Sequence, residues 1–303
     1  VADSASEHPV LGLVRESTYV YGTFRDAGAE LHTAMRRFQA VPGDPPRRLL
    51  LQSTLGSPAL RRHPAGDRTG SSPAVVRHLA GTTLRLDAPG EGGYQVEIGS
   101  EGMRWVEPGV LTLATGSEIR PGLQWYLPDP SGSMLYVSRL FEATGTVLDR
   151  PVVGFVGYDE VHLDAGARNY VDDPLTRDHL SSAWCTWASS YGDGTAEAGH
   201  VAFGPGGFGF AAWTDGGTAR IGAKVEGRVL DADAAGAVRV DFTVDGQVWE
   251  YARDPRGSMP DMAGGAVSPV EGRLRRRGDD RTVRAWFASL EVPASPPPTP
   301  PPA

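Results

Sequence analysis

Along most of this chain apolar and polar residues alternate, and the alternation is cut by glycine and proline rather than by helix caps. A period of two sends successive side chains to opposite faces of a pleated strand. Ser17 to Phe24, Arg47 to Leu55, Leu123 to Leu127 and Met134 to Thr144 read as strands. Tyr94, Val96 and Ile98 alternate, Gly99 to Gly102 turns the chain, and Met103 and Trp105 answer across the hairpin. Ala183 to Tyr191 runs into a turn at Gly192-Asp193-Gly194, and His200 to Phe203 pairs with Phe208 to Trp213 across Gly-Pro-Gly-Gly. Val238, Val240, Phe242 and Val244 lead into Asp245-Gly246, a dipeptide strongly favoured in two-residue hairpins, and Val248 to Tyr251 returns. Glu271 to Arg277 and Thr282 to Val292 close the pattern. Glu30 to Gln39 fits a helix face or a strand, while Ser57 to Pro73 and Met259 to Ser268 read as loops. With 39 glycines and 25 prolines scattered as turn punctuation, the chain predicts an all-β protein of short antiparallel strands closed into sandwiches or barrels.

The chemistry concentrates between Pro151 and Gly194, which holds the only cysteine, two of the seven tryptophans and two of the seven histidines. Its first part is a strand, rich in valine and phenylalanine. Alternation sends Tyr158, Glu160, His162 and Asp164 one way, and Val153, Phe155, Asp159, Val161 and Leu163 the other. One face therefore carries a phenol, carboxylates and an imidazole, the groups that move protons. A face simply open to water reads the same way.

Composition narrows the field. A net charge of -8 argues against a nucleic-acid partner, since phosphate binding needs concentrated Lys and Arg. Lys224 is the sole lysine, a bias typical of GC-rich coding. The Arg273 to Arg284 cluster is interrupted by Asp279 and Asp280, and reads as an ion-paired or solvated strand. Cys185 is alone, so stability must come from packing. No apolar run approaches the ~20 residues of a membrane helix, and the expected location is the cytoplasm. No phosphate loop, dinucleotide fingerprint, nucleophile elbow or HExxH signature is present. A metal set of His162, Asp164 and His179 would draw on more than one element, and no metal is expected.

Two halves share a faint likeness: Tyr19, Tyr21, Phe24, Asp26, Gly28, Glu30 and His32 run in an order echoed by Trp184, Trp187, Tyr191, Asp193, Gly194, Glu197 and His200. The expected organisation is a β domain over 1–150, a second over 151–292, and a disordered proline-rich tail over 293–303.

Gly154, Tyr158, Glu160 and His162, followed by Trp184, Trp187, Asp193 and Gly194, resemble the motif set of the lipocalin-like carotenoid 1,2-hydratase/AttH superfamily. The resemblance covers about 120–291, where Glu160-Val161-His162-Leu163 replaces the usual aspartate-histidine-tryptophan wording. It implies two lipocalin-like antiparallel β-barrels in tandem, meeting at a hydrophobic crevice. It also implies hydration of polyene double bonds or related cyclisations of Diels–Alder type, none needing a redox cofactor. Adding water to an unactivated alkene requires a proton donor in a dry place. Glu160 is the first candidate acid and Asp159 the second, with His162 and Tyr158 beside them. Trp105, Trp125, Trp184, Trp187 and Tyr191 are candidate aromatic walls, and Gln124 a candidate hydrogen-bond donor to the substrate. The expected function is a cofactor-independent hydratase, isomerase or cyclase of bacterial natural-product metabolism. Its partner would be a small apolar molecule, and the protein a monomer or homodimer. A non-catalytic carrier and a carbohydrate-processing protein are the rival readings.

Overall fold

The computed structural model describes residues 8–39, 47–54, 57–66, 68–69, 76–80, 83–88, 93–119, 122–128, 132–169, 171, 183–262 and 267–293. The first sheet contains β1 (Val14–Asp26), β2 (Leu31–Gln39), β3 (Arg47–Thr54), β4 (Ser57–Arg62), β5 (Arg68–Thr69), β6 (Val76–Ala80), β7 (Thr83–Ala88), β8 (Tyr94–Gly99), β9 (Gly102–Glu107), β10 (Leu111–Glu118), β11 (Leu123–Leu127), β12 (Met134–Val147) and β13 (Arg150–Leu163). The second contains β14 (Ala183–Tyr191), β15 (Ala196–Phe203), β16 (Gly209–Asp215), β17 (Thr218–Ile221), β18 (Val225–Asp233), β19 (Gly236–Val244), β20 (Gln247–Ser258), β21 (Val267–Arg276) and β22 (Val283–Pro293). Two short 3-10 turns, Pro205–Gly207 and Pro260–Met262, are the only helical pieces among the described residues.

Both sheets are antiparallel and curl into half-barrels with one plan. The first runs β4-β3-β2-β1-β13-β12-β10-β9-β8-β7-β6, with β11 added on β12 and β5 on β3. The second runs β17-β16-β15-β14-β22-β21-β20-β19-β18. In each, the first strand in sequence pairs with the last, and the faint internal likeness falls on matching hairpins, β1–β2 and β14–β15. The ambiguous Glu30 to Gln39 segment is strand β2, and the loop-like Ser57 to Pro73 region holds β4 and β5. These border strands need no continuous apolar face, so their sequence reads as a loop. Arg150–Leu163 lies between β1 and β12, so the change of sheet comes after Leu163 rather than at residue 150. The proline-rich tail from residue 294 lies outside the described residues. The Asp245-Gly246 turn appears as expected, both residues at positive φ (49° and 83°), as a type I′ hairpin requires.

Each half-barrel has its own core. Val20, Phe24, Leu86, Val96, Trp105, Phe141 and Val156 fill the first. Trp187, Val201, Val240, Phe242, Trp249 and Leu290 fill the second. The outer faces of the two sheets then pack together. Along this seam Leu140 and Phe155 meet Ala188, Ala198 and Phe287, while Leu31, Leu51 and Leu60 meet Met259. Arg25 crosses it, donating to the Trp286 carbonyl at 2.7 Å and to Asp254 at 2.9 Å. Gly157 is required here: a Cβ at that position would stand 2.3 Å from Cζ of Tyr21. From Gly154 to Leu163 every residue of β13 is buried, as is every residue of β14.

Inside the first barrel lies a fully buried ion pair. Arg36 Nε donates to Glu107 Oε1 at 2.5 Å, its Nη2 bonds Oε2, and Trp105 Nε1 donates to Oε1 at 2.8 Å. Removing one partner of such a pair leaves the other charge uncompensated. Urea unfolding of Arg36→Met is expected to show a loss of about 3–5 kcal/mol. The double variant Arg36→Met/Glu107→Leu should lose less than the single one.

Candidate active site

Strand β13 sorts its chemistry between two enclosed faces. Tyr158, Glu160 and His162 point into the first barrel, at 0%, 1% and 3% exposure, so these side chains are shielded from bulk solvent. The Tyr158 hydroxyl donates to Glu160 Oε1 at 2.5 Å, and His162 Nε2 stands 3.5 Å from Oε2. Arg15 Nη1 lies 4.0 Å from Glu160. His162 Nδ1 is buried with no hydrogen-bond partner among the described residues. Glu160 and His162 line a cavity of about 170 Å³ together with Gln124, Leu123, Leu135, Val137 and the Glu118–Arg139 pair. The cavity is small and mixed in polarity, where a hydrophobic pocket was expected. The strands around it contribute ionic side chains alongside aliphatic ones.

Asp159 points the other way, into the seam. Tyr136 OH donates to its Oδ2 at 2.8 Å and Ser138 Oγ to its Oδ1 at 2.6 Å. Burial pushes this carboxyl up to about 7, against the opposing pull of the Ser138, Tyr136 and Tyr21 hydroxyls, with Glu291 adding to the rise. Glu271, also in the seam, is pushed up to about 7 by burial, while Arg25, Thr23 and Ser289 act to lower it.

Beside Asp159 stands an aromatic box. Tyr136 stacks on Trp125 with centroids 4.9 Å apart, and Trp184 stacks on Phe210 at 6.0 Å. His200 sits 4.8 Å from the Trp125 ring. Trp184 Nε1 donates to Thr186 Oγ1 at 3.2 Å, and Thr186 Oγ1 lies 2.9 Å from His200 Nδ1. With no other acceptor for the threonine proton among the described residues, it goes to Nδ1, which leaves neutral His200 protonated on Nε2. Burial pulls the imidazole down to about 3, so it is neutral at physiological pH. Two buried N–H donors, Trp125 Nε1 and His200 Nε2, thus have no acceptor among the described residues. Native interiors rarely leave such groups unsatisfied except where water or a ligand completes them.

Of the residues singled out by sequence, the seam brings together Asp159, Trp125 and Trp184. The barrel cavity takes Glu160, His162 and Gln124, with Tyr158 behind Glu160. The other three are in the barrel interiors. Trp105 is bonded to Glu107, and Trp187 packs on Trp249 at 5.2 Å. Tyr191 OH donates to Glu197 at 2.7 Å, with Arg281 3.7 Å above its ring. Sequence reasoning passed over Tyr136, Ser138, Thr186, Phe210 and Glu271. The usable signal was alternation within Met134 to Thr144, which places a tyrosine and a serine on one face. His179 lies outside the described residues. Asp26, Glu30 and His32 cluster closely enough for a metal, but Arg150 already pairs with both acids and supplies the counter-charge.

No family model and no curated protein matches the chain by sequence. Solved structures do. One is a protein of Nitrosomonas europaea assigned as AttH, with TM-score 0.52 and 14% identity, covering 91% of this chain and 92% of that one. Another is kievitone hydratase from Nectria haematococca, with TM-score 0.51 and 10% identity, covering 93% and 90%. The chain has their tandem β-barrel fold. Among the described residues no helix is long and apolar enough to cross a membrane.

The two seam acids set a pH dependence of stability. From about 4, where an unfolded carboxyl releases its proton, up to about 7, the folded chain holds protons that the unfolded chain has lost. Stability therefore falls as pH rises across that window. The urea midpoint is expected to drop between pH 5 and 8, and to drop less in Asp159→Asn and in Glu271→Gln.

Proposed function

We propose that this chain is a hydratase-type enzyme that adds water to, or removes it from, a carbon–carbon double bond of an apolar substrate, with Asp159 as the general acid. The observation that carries this reading is the Asp159 carboxyl. It is buried between two sheets, held by Tyr136 and Ser138, and pushed up to about 7, so that near neutral pH it is a proton donor in a dry setting. The fold it shares with kievitone hydratase supports the same class of reaction. The substrate's unsaturated unit would lie against Trp125, Tyr136, Trp184 and Phe210, with an oxygen of the ligand accepting from Trp125 Nε1 and His200 Nε2. Strand β11, hydrogen-bonded among the described strands to β12 alone, is the element whose movement would admit it.

In the hydration direction the Asp159 proton forms a C–H bond at one alkene carbon. Water oxygen bonds the other carbon, and the surplus water proton returns to the carboxylate, so the acid is regenerated. A polyene, terpenoid or polyketide-derived substrate fits aromatic walls of this kind. Cyclisation of a long polyene is the second reading, since the same walls would fold such a chain without a proton. The cavity of about 170 Å³ in the first barrel is smaller than the ~300–1,000 Å³ of ordinary ligand pockets and would hold only a fragment of one. Sugar processing has less support, because Trp125 and Trp184 are buried rather than open for stacking.

The test is turnover on a panel of isoprenoid and polyene alkenes. Asp159→Asn is expected to lower kcat by about 10²–10⁴-fold while retaining ligand binding. The wild-type rate should fall as pH rises past about 7, where the acid loses its proton. Undiminished turnover by Asp159→Asn would remove Asp159 from the chemistry. Binding without any turnover in the wild type would make the protein a carrier.

A further inference from the structure

A hydration at Asp159 consumes one water, yet the seam around it is closed. The polar cavity of the first barrel lies on the opposite face of the same strand. In the seam is a second, much smaller void of about 10 Å³, bounded by Ile119 and Leu140 from the first sheet and Ala198 and Thr214 from the second. That is close to the smallest space that holds a single water. Cavity and void have three wall residues in common: Gly122, Leu123 and Ser138. Ser138 is also the residue whose hydroxyl donates to Asp159. A hydroxyl that donates to a carboxylate keeps lone pairs able to accept from water.

The cavity wall offers several groups that can hydrogen-bond water. Glu118, Arg139, Glu160, His162 and Gln124 all line it, and His162 Nδ1 has no protein partner among the described residues. Of the three shared wall residues, Gly122 is the one without a side chain. A Cβ there would meet Glu118 Oε1 at 2.9 Å, with Arg139 Cγ and the Ser138 carbonyl oxygen both at 3.5 Å.

We propose that the first-barrel cavity is the water store of the seam site, and that water and protons pass from it to Asp159 by way of Gly122 and Ser138. The catalytic meaning of this path rests on the hydratase reading; the path as a physical feature does not. In the forward reaction the water held in the void adds to the substrate. Its surplus proton passes to Ser138 Oγ as the serine proton passes to the Asp159 carboxylate. Ser138 ends unchanged, and the cavity refills the void.

The path can be tested without a substrate. Below pH 7 Asp159 carries its proton, so its C=O stretch shifts when the protein is transferred to D2O, and Asp159→Asn assigns the band by its loss. The wild type is expected to exchange within the mixing time. Gly122→Val, which puts side chain into the wall that cavity and void share, against the flexible end of Glu118, should exchange at about a tenth of the wild-type rate or slower, because the remaining route is local opening of the seam. Gly122→Ala, one methyl larger than wild type, should fall between them and stands in if the valine variant fails to fold. Exchange at the wild-type rate in both glycine variants would overturn the path. The outcomes separate cleanly from the reaction itself. If Asp159→Asn abolishes turnover while Gly122→Val exchanges normally, the reaction stands and the path is wrong. If Gly122→Val slows exchange while Asp159→Asn turns over normally, the path stands and the reaction is wrong.

Discussion

A strand buried on both faces has nowhere to put a polar side chain except against a partner, and β13 is such a strand. One of its faces closes a barrel and the other is covered by a second sheet. Each carboxylate on it therefore carries a desolvation cost that hydrogen bonds must offset. Glu160 answers with Tyr158, His162 and Arg15 on the barrel side. Asp159 answers with hydroxyls alone, those of Tyr136, Ser138 and Tyr21, and no cation among the contacts described, which leaves its charged form poorly compensated. The same double burial that closes the fold thus generates the proton donor. Adjacent residues of one strand become two chemically separate groups, a single residue's rise apart along the chain and on opposite sides of a sheet.

The shared strand order of the two halves puts this in context. Both barrels hold a tyrosine hydroxyl against a buried glutamate, Tyr158 with Glu160 in the first and Tyr191 with Glu197 in the second. In the second barrel Arg276 and Arg281 close on the glutamate, and Asp215 and Asp279 complete a network around them. In the first barrel the space beside Glu160 remains a cavity. Four of the six arginines in the cluster from Arg273 to Arg284 are accounted for by ion pairs, among them Arg277 with Asp241 and Arg284 with Glu142. This is the ion-paired strand that their interleaving with acids implied.

What was legible in the sequence was the alternation and the turns. It separated Asp159 from Glu160, placed the hairpin at Asp245-Gly246 and gave an all-β chain. What a face looks onto is set by long-range pairing, which period-two reasoning does not contain. Trp105, Trp187 and Tyr191 have the same local signature as Trp125 and Trp184, yet the first three turn into barrels and the last two into the seam. His200 lies in an unremarkable strand. It becomes notable only when Thr186, Trp184 and Trp125 arrive from other strands. β4 and β5 were hidden because their polar sequence serves a sheet border.

The proposed chemistry turns on the ionisation of Asp159. Its carboxyl carbon can be followed directly by ¹³C NMR through a pH titration, with Asp159→Asn supplying the assignment. A midpoint near 7, set by burial between the sheets, is expected. A midpoint near the ordinary aspartate value of about 4 would contradict the proposal, because it would mean a solvated or charge-paired group and no acid poised for neutral pH.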